Sequence, residues 1–309
     1  MWPLMPKCLY MFLAFTPFTF FFVRVYRVVL LFIFSLSNFY FFWLYIEIAM
    51  LLFIGLSYTV FTHSFTQLML YFLIQTLASF SMLVFYTLDF SYLFYFSLFF
   101  KLGMFPFMSW YLNVLYRFPS FVLLLSRTLH KLPPLFLFFL VYNSTYSSFI
   151  LLSVLFSLVV GGFYMLNVLD LRYLIVVSSM ANNGFLLLGL MSGSMFVFWL
   201  FYSFYFLNMF FVLYILGGFT KISFNQIRTK SFTTIVILAL LFNLAALPPF
   251  PMFFAKFLVL LEYFTSAPNS TYMVVMLVLA NVFIMASYCQ LLIKYVVNNY
   301  SHSSSHLLF

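Results

Sequence analysis

Long apolar runs fill this chain, cut at intervals by short polar or charged groups. A helix needs about 20 mostly apolar residues to cross the hydrocarbon core of a bilayer, and runs of that length recur from end to end. The pattern predicts helices near 8–22, 27–38, 39–61, 66–88, 91–109, 119–142, 148–166, 171–191, 194–217, 232–261 and 270–296. Arg24 and Arg27 interrupt the first two, so 8–38 is either one long bent helix or two short ones. The expected fold is an all-α, polytopic membrane bundle of ten or eleven transmembrane helices. Residues 1–309 form a single transmembrane domain with its core at 39–296 and a polar tail at 297–309.

Two connections stand out. Residues 218–231 hold Lys221, Arg228 and Lys230 in a hydrophilic loop, which the positive-inside tendency places on the matrix side. In the tail, His302 and His306 lie i,i+4, but the segment reads as disordered rather than as a metal site. Two of the helices are interrupted. LHKLPPLF at 129–136 and LAALPPFPMFFAKF at 244–257 each place a proline pair inside a span. Proline removes a backbone donor and clashes with the preceding turn. In lipid such a break is tolerated where it faces protein or a wet cavity. Interrupted helices in corresponding positions of two halves point to an inverted-repeat transporter, and a lysine lies beside each break, Lys131 and Lys256. The plain alternative is a pair of proline kinks.

Composition sharpens this picture. Of 309 residues, 67% are hydrophobic and 6% charged, against roughly a quarter charged in soluble domains. The chain holds 51 Phe and 23 Tyr. Membrane physics does not ask for Phe over Leu, but a thymine-rich genome supplies Phe codons, which points to an organellar gene. No Arg- and Ser-rich presequence opens the chain, and MWPLMPKCLYMFLAF reads as membrane segment. The net charge of +9 does not signal nucleic acid, because several basic residues lie inside apolar runs and form no surface patch. Cys8 and Cys289 imply neither a disulfide framework nor a metal site. No cofactor is expected: the four histidines supply no facing pair for haem, and Gly161-Gly162 has no strand–turn–helix context for a nucleotide.

The candidate chemistry lies in the charges. An ionisable residue at mid-span costs roughly 2.5–3.5 kcal/mol on insertion scales, so it persists where it faces a polar interior. Glu47 lies well inside 39–61, Lys101 at the centre of 91–109, Lys131 at the centre of 119–142, and Lys256 in the second half of 232–261. Desolvation favours the neutral form of an ionisable group, so buried lysines can load and release protons. One Glu and three Lys on successive helices are the ingredients of a proton relay. Static ion pairs are the alternative, but one Glu cannot neutralise three lysines. Arg127, one turn before Lys131, either acts on it as a like charge or points to the interface. His130 adjoins Lys131 and is a secondary candidate. Asp89, Asp170 and Glu262 fall near span ends.

These residues carry a family resemblance. WLYIEIAMLLFIGL at 43–56, LYFLIQTLASFSML at 70–83 and FFKLGMFPFMSW at 99–110 resemble blocks of the mitochondrial NADH dehydrogenase subunit 2 family. So, in order, do LLLSRTLHKLPPL at 123–135, GGFYMLNVLDLRYLIVVSSMANNGF at 161–185 and LPPFPMFFAKF at 247–257. The resemblance implies an antiporter-like, non-redox membrane-arm subunit of NADH:ubiquinone oxidoreductase that moves protons in the mitochondrial inner membrane. It carries functional charges onto Glu47, Lys101, Lys131 and Lys256. It implies other complex I membrane-arm subunits and phospholipids such as cardiolipin as partners. Met108, Asn113, Leu70, Tyr173 and Asn182 stand where that family has His, Glu, Lys, Lys and His. Competing readings are a paralogous subunit 4 or 5, a sodium/proton antiporter, or a structural subunit that no longer pumps.

Overall fold

The computed structural model describes residues 17–33, 36–60, 65–166, 170–216, 232–248, 250–266 and 271–305. The loop 218–231, Cys8, His63 and His306 lie outside them. Among the described residues the chain is helical, without β-strands. The chain divides into two compact units, one ending at Ile150 and the other beginning at Leu151.

The first unit contains α1 (Pro17–Ile33), α2 (Phe39–Val60), α3 (Phe65–Thr87), α4 (Ser91–Leu102), α5 (Met108–Leu115), α6 (Ser120–Arg127) and α7 (Leu132–Val141). α1 runs unbroken through Arg24 and Arg27, which are both exposed. Arginine is a good helix former, and long side chains directed outward leave the backbone intact. α1 packs on α2, α2 on α3 and α3 on α4, while α7 lies against α2 and α4. α2 shows how the layers face. Phe41, Leu44, Ile48 and Leu51 are exposed, while Phe42, Ile46, Ala49, Met50 and Phe53 are buried. An apolar outer stripe suits lipid, so polar groups are free to turn inward.

The continuous helix expected over 91–109 is absent. α4 stops at Leu102 because Gly103 takes a left-handed conformation at φ 68°. Its N–H bonds the Phe100 carbonyl at 3.3 Å, and the Met104 N–H bonds that of Phe99 at 3.0 Å, a helix stop that glycine favours. A Cβ at Gly103 would collide with the Tyr111 ring. Lys101 therefore stands in the last turn of a helix, beside a break, and not at the centre of a span.

The 119–142 span is broken as expected, one turn earlier than its prolines suggest. Thr128 departs from helical geometry at φ −109°, ψ −86°, a 3-10 turn covers Leu129–Lys131, and α7 restarts at Leu132. Pro133 and Pro134 sit in the first turn of α7, where backbone N–H groups have no intrahelical partner to lose.

The second unit holds most of α8 (Ser147–Leu166), then α9 (Leu171–Met191), α10 (Met195–Leu216), α11 (Phe232–Ala245), α12 (Pro251–Ser266) and α13 (Thr271–Ser305). α9 is its core: it is buried continuously from Leu174 to Met191, packed by α10 and α12. The 232–261 span is also broken, at Ala246 with φ 56°. Asn243 bridges the gap, its Oδ1 accepting the Met252 N–H at 3.2 Å and capping α12. α13 continues to Ser305, so residues 297–305 are helical where a disordered tail was expected.

Seven helical stretches among the described residues are long and apolar enough to cross a membrane. The expected count of ten or eleven included α1, α4 and the broken α11–α12 pair; each of these helices is 12 to 17 residues long.

Candidate functional site

In the first unit the breaks bring ionisable groups together. Lys101 Nζ lies 3.4 Å from Glu47 Oε1, joining the end of α4 to the middle of α2. The lysine side chain is 2% exposed and the carboxylate 19%. The lysine is buried and the carboxylate partly so, and removing the carboxylate would leave the lysine an uncompensated buried charge.

Lys101 also lines a cavity of about 10 Å³ together with Tyr71, Gln75, Tyr111, His130 and Lys131. That is the space that about one water molecule needs. Lys131 reaches it because the 3-10 turn ends there, and its Nζ sits 4.8 Å from the Tyr111 ring centroid, within cation–π range. Tyr111 is also the ring pressed against Gly103. The stop of α4 and the placement of Lys131 thus share one side chain. His130 stacks on Phe53 at 4.8 Å, and its Nδ1 lies 3.2 Å from Tyr26 Oη. The ring lines the same cavity as Lys131. Arg127 is fully buried, so it does not reach the interface.

The second unit holds Lys256, 2% exposed. Its Nζ donates to Asn281 Oδ1 at 3.3 Å and lies 4.9 Å from the Phe185 ring centroid. An amide and a ring face hold this cation. Asn182 and Asn208 are buried near the middles of α9 and α10, and their amide atoms have no hydrogen-bond partner among the described residues. Among the described residues no group of three or more His, Cys, Asp or Glu could hold a metal. Asp89 is exposed in the turn after α3, and Asp170 is exposed at the start of α9.

Sequence reasoning missed Gln75, Tyr111, Asn208 and Asn281. Three of them carried a usable signal: Gln75, Asn208 and Asn281 are lone amides inside long apolar runs. Burying an amide without a partner costs about 1–3 kcal/mol in proteins.

A family profile described as NADH:quinone oxidoreductase/Mrp antiporter, TM, matches residues 86–284, well over half of the chain. The chain belongs to this family. Among curated relatives, NADH-ubiquinone oxidoreductase chain 2 of Anopheles gambiae is 29% identical over 209 residues, covering 66% of this chain and 59% of that one. The chain of the same name from Albinaria caerulea is 28% identical over 240 residues, covering 73% and 72%. The matches span about half the length of other such relatives, 46% for Paracentrotus lividus and 48% for Gallus gallus. The fold is similar to a chain of respiratory complex I from Thermus thermophilus, with TM-score 0.69 at 20% identity over 81% of this chain and 64% of that one. It is also similar to a chain of the Mrp complex from Dietzia sp., with TM-score 0.64 at 16% identity over 81% and 55%. The likeness to these solved chains is one of fold, and the broken helices and buried lysines described above are this chain's own.

Proposed function

We propose that this chain is a proton-translocating, non-redox membrane-arm subunit of an NADH:ubiquinone oxidoreductase in the mitochondrial inner membrane. Protons move through Glu47, Lys101, Lys131 and Lys256, with Arg127 and His130 in supporting roles. Other membrane-arm subunits are its neighbours, and quinone reduction takes place elsewhere in the complex.

One observation carries this reading: Lys101, the buried partner of Glu47, lines a cavity that Lys131 and His130 also line. A pair made only for stability would be closed off by packing. Here the lysine can either hold its carboxylate partner or hand a proton to the cavity. A distant change that weakens the attraction of Glu47 for Lys101 would release that proton toward Lys131. Lys256, held by an amide instead of a carboxylate, can change charge without stranding an acidic partner.

The test is Lys101→Met in the assembled complex, reconstituted into vesicles with NADH and quinone. The expected result is fewer protons moved per electron. An unchanged ratio in assembled complex would count against the relay and favour a structural role for the ion pair.

A further inference from the structure

Gln75, on α3, is not one of the titrating groups of this relay, yet it touches two of the features that define the cavity. Its Nε2 donates to the Lys101 carbonyl at 3.2 Å. That carbonyl lies in the last turn of α4, where the helix leaves its carbonyls without intrahelical donors. A carbonyl can only accept, so the amide nitrogen must face it. The amide oxygen is thereby turned the other way. Gln75 is 3% exposed, its Oε1 has no hydrogen-bond partner among the described residues, and the same side chain lines the cavity with Lys101, Tyr111, His130 and Lys131. A buried acceptor left unsatisfied costs about 1–3 kcal/mol. A buried water needs a polar site with two to four partners and room for about one probe sphere, and this cavity supplies both.

We propose that the cavity binds one ordered water between Lys101 and Lys131, and that Gln75 is the positioning residue that orients it. This rests on the relay proposed above. The water donates one hydrogen to Gln75 Oε1, which leaves its other hydrogen and its lone pairs for the two lysines. When one lysine is an ammonium and the other a neutral amine, the ammonium passes a proton to the water oxygen. The water's remaining hydrogen then passes to the neutral amine. One N–H and one O–H bond break, one of each forms, and the positive charge moves from one lysine to the other. Gln75 exchanges no proton, but without its oxygen the water has no fixed orientation.

Two measurements on the intact, purified complex test this. In a density map sharp enough to show buried waters elsewhere, a solvent peak is expected within hydrogen-bond distance of Gln75 Oε1; a dry cavity overturns the proposal. Gln75→Met keeps the length of the side chain and removes the oxygen. In assembled complex it is expected to lose the solvent peak and the same share of protons per electron that Lys131→Met loses, with electron transfer retained. A merely structural role for Gln75 would lower the yield of complex and leave the ratio of the assembled fraction unchanged. A loss in Lys131→Met but none in Gln75→Met overturns the water and leaves the relay standing, whereas no loss in either overturns both. If Gln75→Met does not assemble, the map of the native complex decides.

Discussion

At the scale of single residues, the site depends on positions that carry no charge. Gly103 ends α4 at φ 68° and accepts the Tyr111 ring where a Cβ would stand. Left-handed geometry costs a residue with a Cβ about 1–2 kcal/mol, and Tyr111 would also have to retreat from Lys131. Gly103→Ala is therefore expected to lower the thermal inactivation temperature of the complex and to weaken proton translocation more than electron transfer. Thermal inactivation at the native temperature with a native proton-to-electron ratio would show that the stop of α4 does not position Lys131. The charged members of the site were legible in the sequence because a lone Glu or Lys inside an apolar run is hard to explain otherwise. Gln75, Asn208 and Asn281 obey the same physics with a smaller penalty, and an amide in a run such as LYFLIQTLASF is easily passed over. Tyr111 was illegible for a different reason: one tyrosine among 23 becomes special only when the Gly103 break is placed against it.

At the scale of elements, three interrupted helices set the geometry. The proline pairs marked two of them, but the reason differs from what proline alone suggests. Pro133 and Pro134 occupy a helix start, and the departure from helical geometry comes earlier, at Thr128. The third break, after Lys101, was written in the sequence as Gly103 followed by Pro106. High hydropathy on both sides concealed it, since hydropathy reports the length of apolar chain and not the continuity of its hydrogen bonds. At Arg24 and Arg27 the charges left open one bent helix or two short ones, and α1 runs through both by turning them outward. The α11–α12 break is held by the Asn243 side chain on the Met252 N–H. Loss of a side-chain cap costs about 0.5–2 kcal/mol. Asn243→Leu is expected to lower the thermal inactivation temperature of the complex modestly and to disturb the helix that carries Lys256. No change in that temperature would mean that the Met252 N–H finds another acceptor at no cost.

At the scale of the whole molecule, the chain belongs to the NADH:quinone oxidoreductase/Mrp antiporter family, while the proposed proton route rests on this chain's own side chains. The first unit holds Glu47, Lys101 and Lys131 and the second holds Lys256. Among the described residues, only the first shows an acid paired with a lysine. That asymmetry gives Lys131 the central place: it lines the same cavity as Lys101, and it stands at a helix break. Lys131→Met keeps the length and apolar stem of the side chain and removes the proton. Lys131→Arg keeps a charge at every working pH. The most direct measurement is the number of protons moved per electron by the assembled complex in sealed vesicles, for the native chain and for these two variants. A lowered ratio in both, with electron transfer continuing, is the result expected of a proton carrier. A full ratio in Lys131→Met, or a full ratio in Lys131→Arg alongside failure of Lys131→Met to assemble, would contradict the account and leave Lys131 a structural cation.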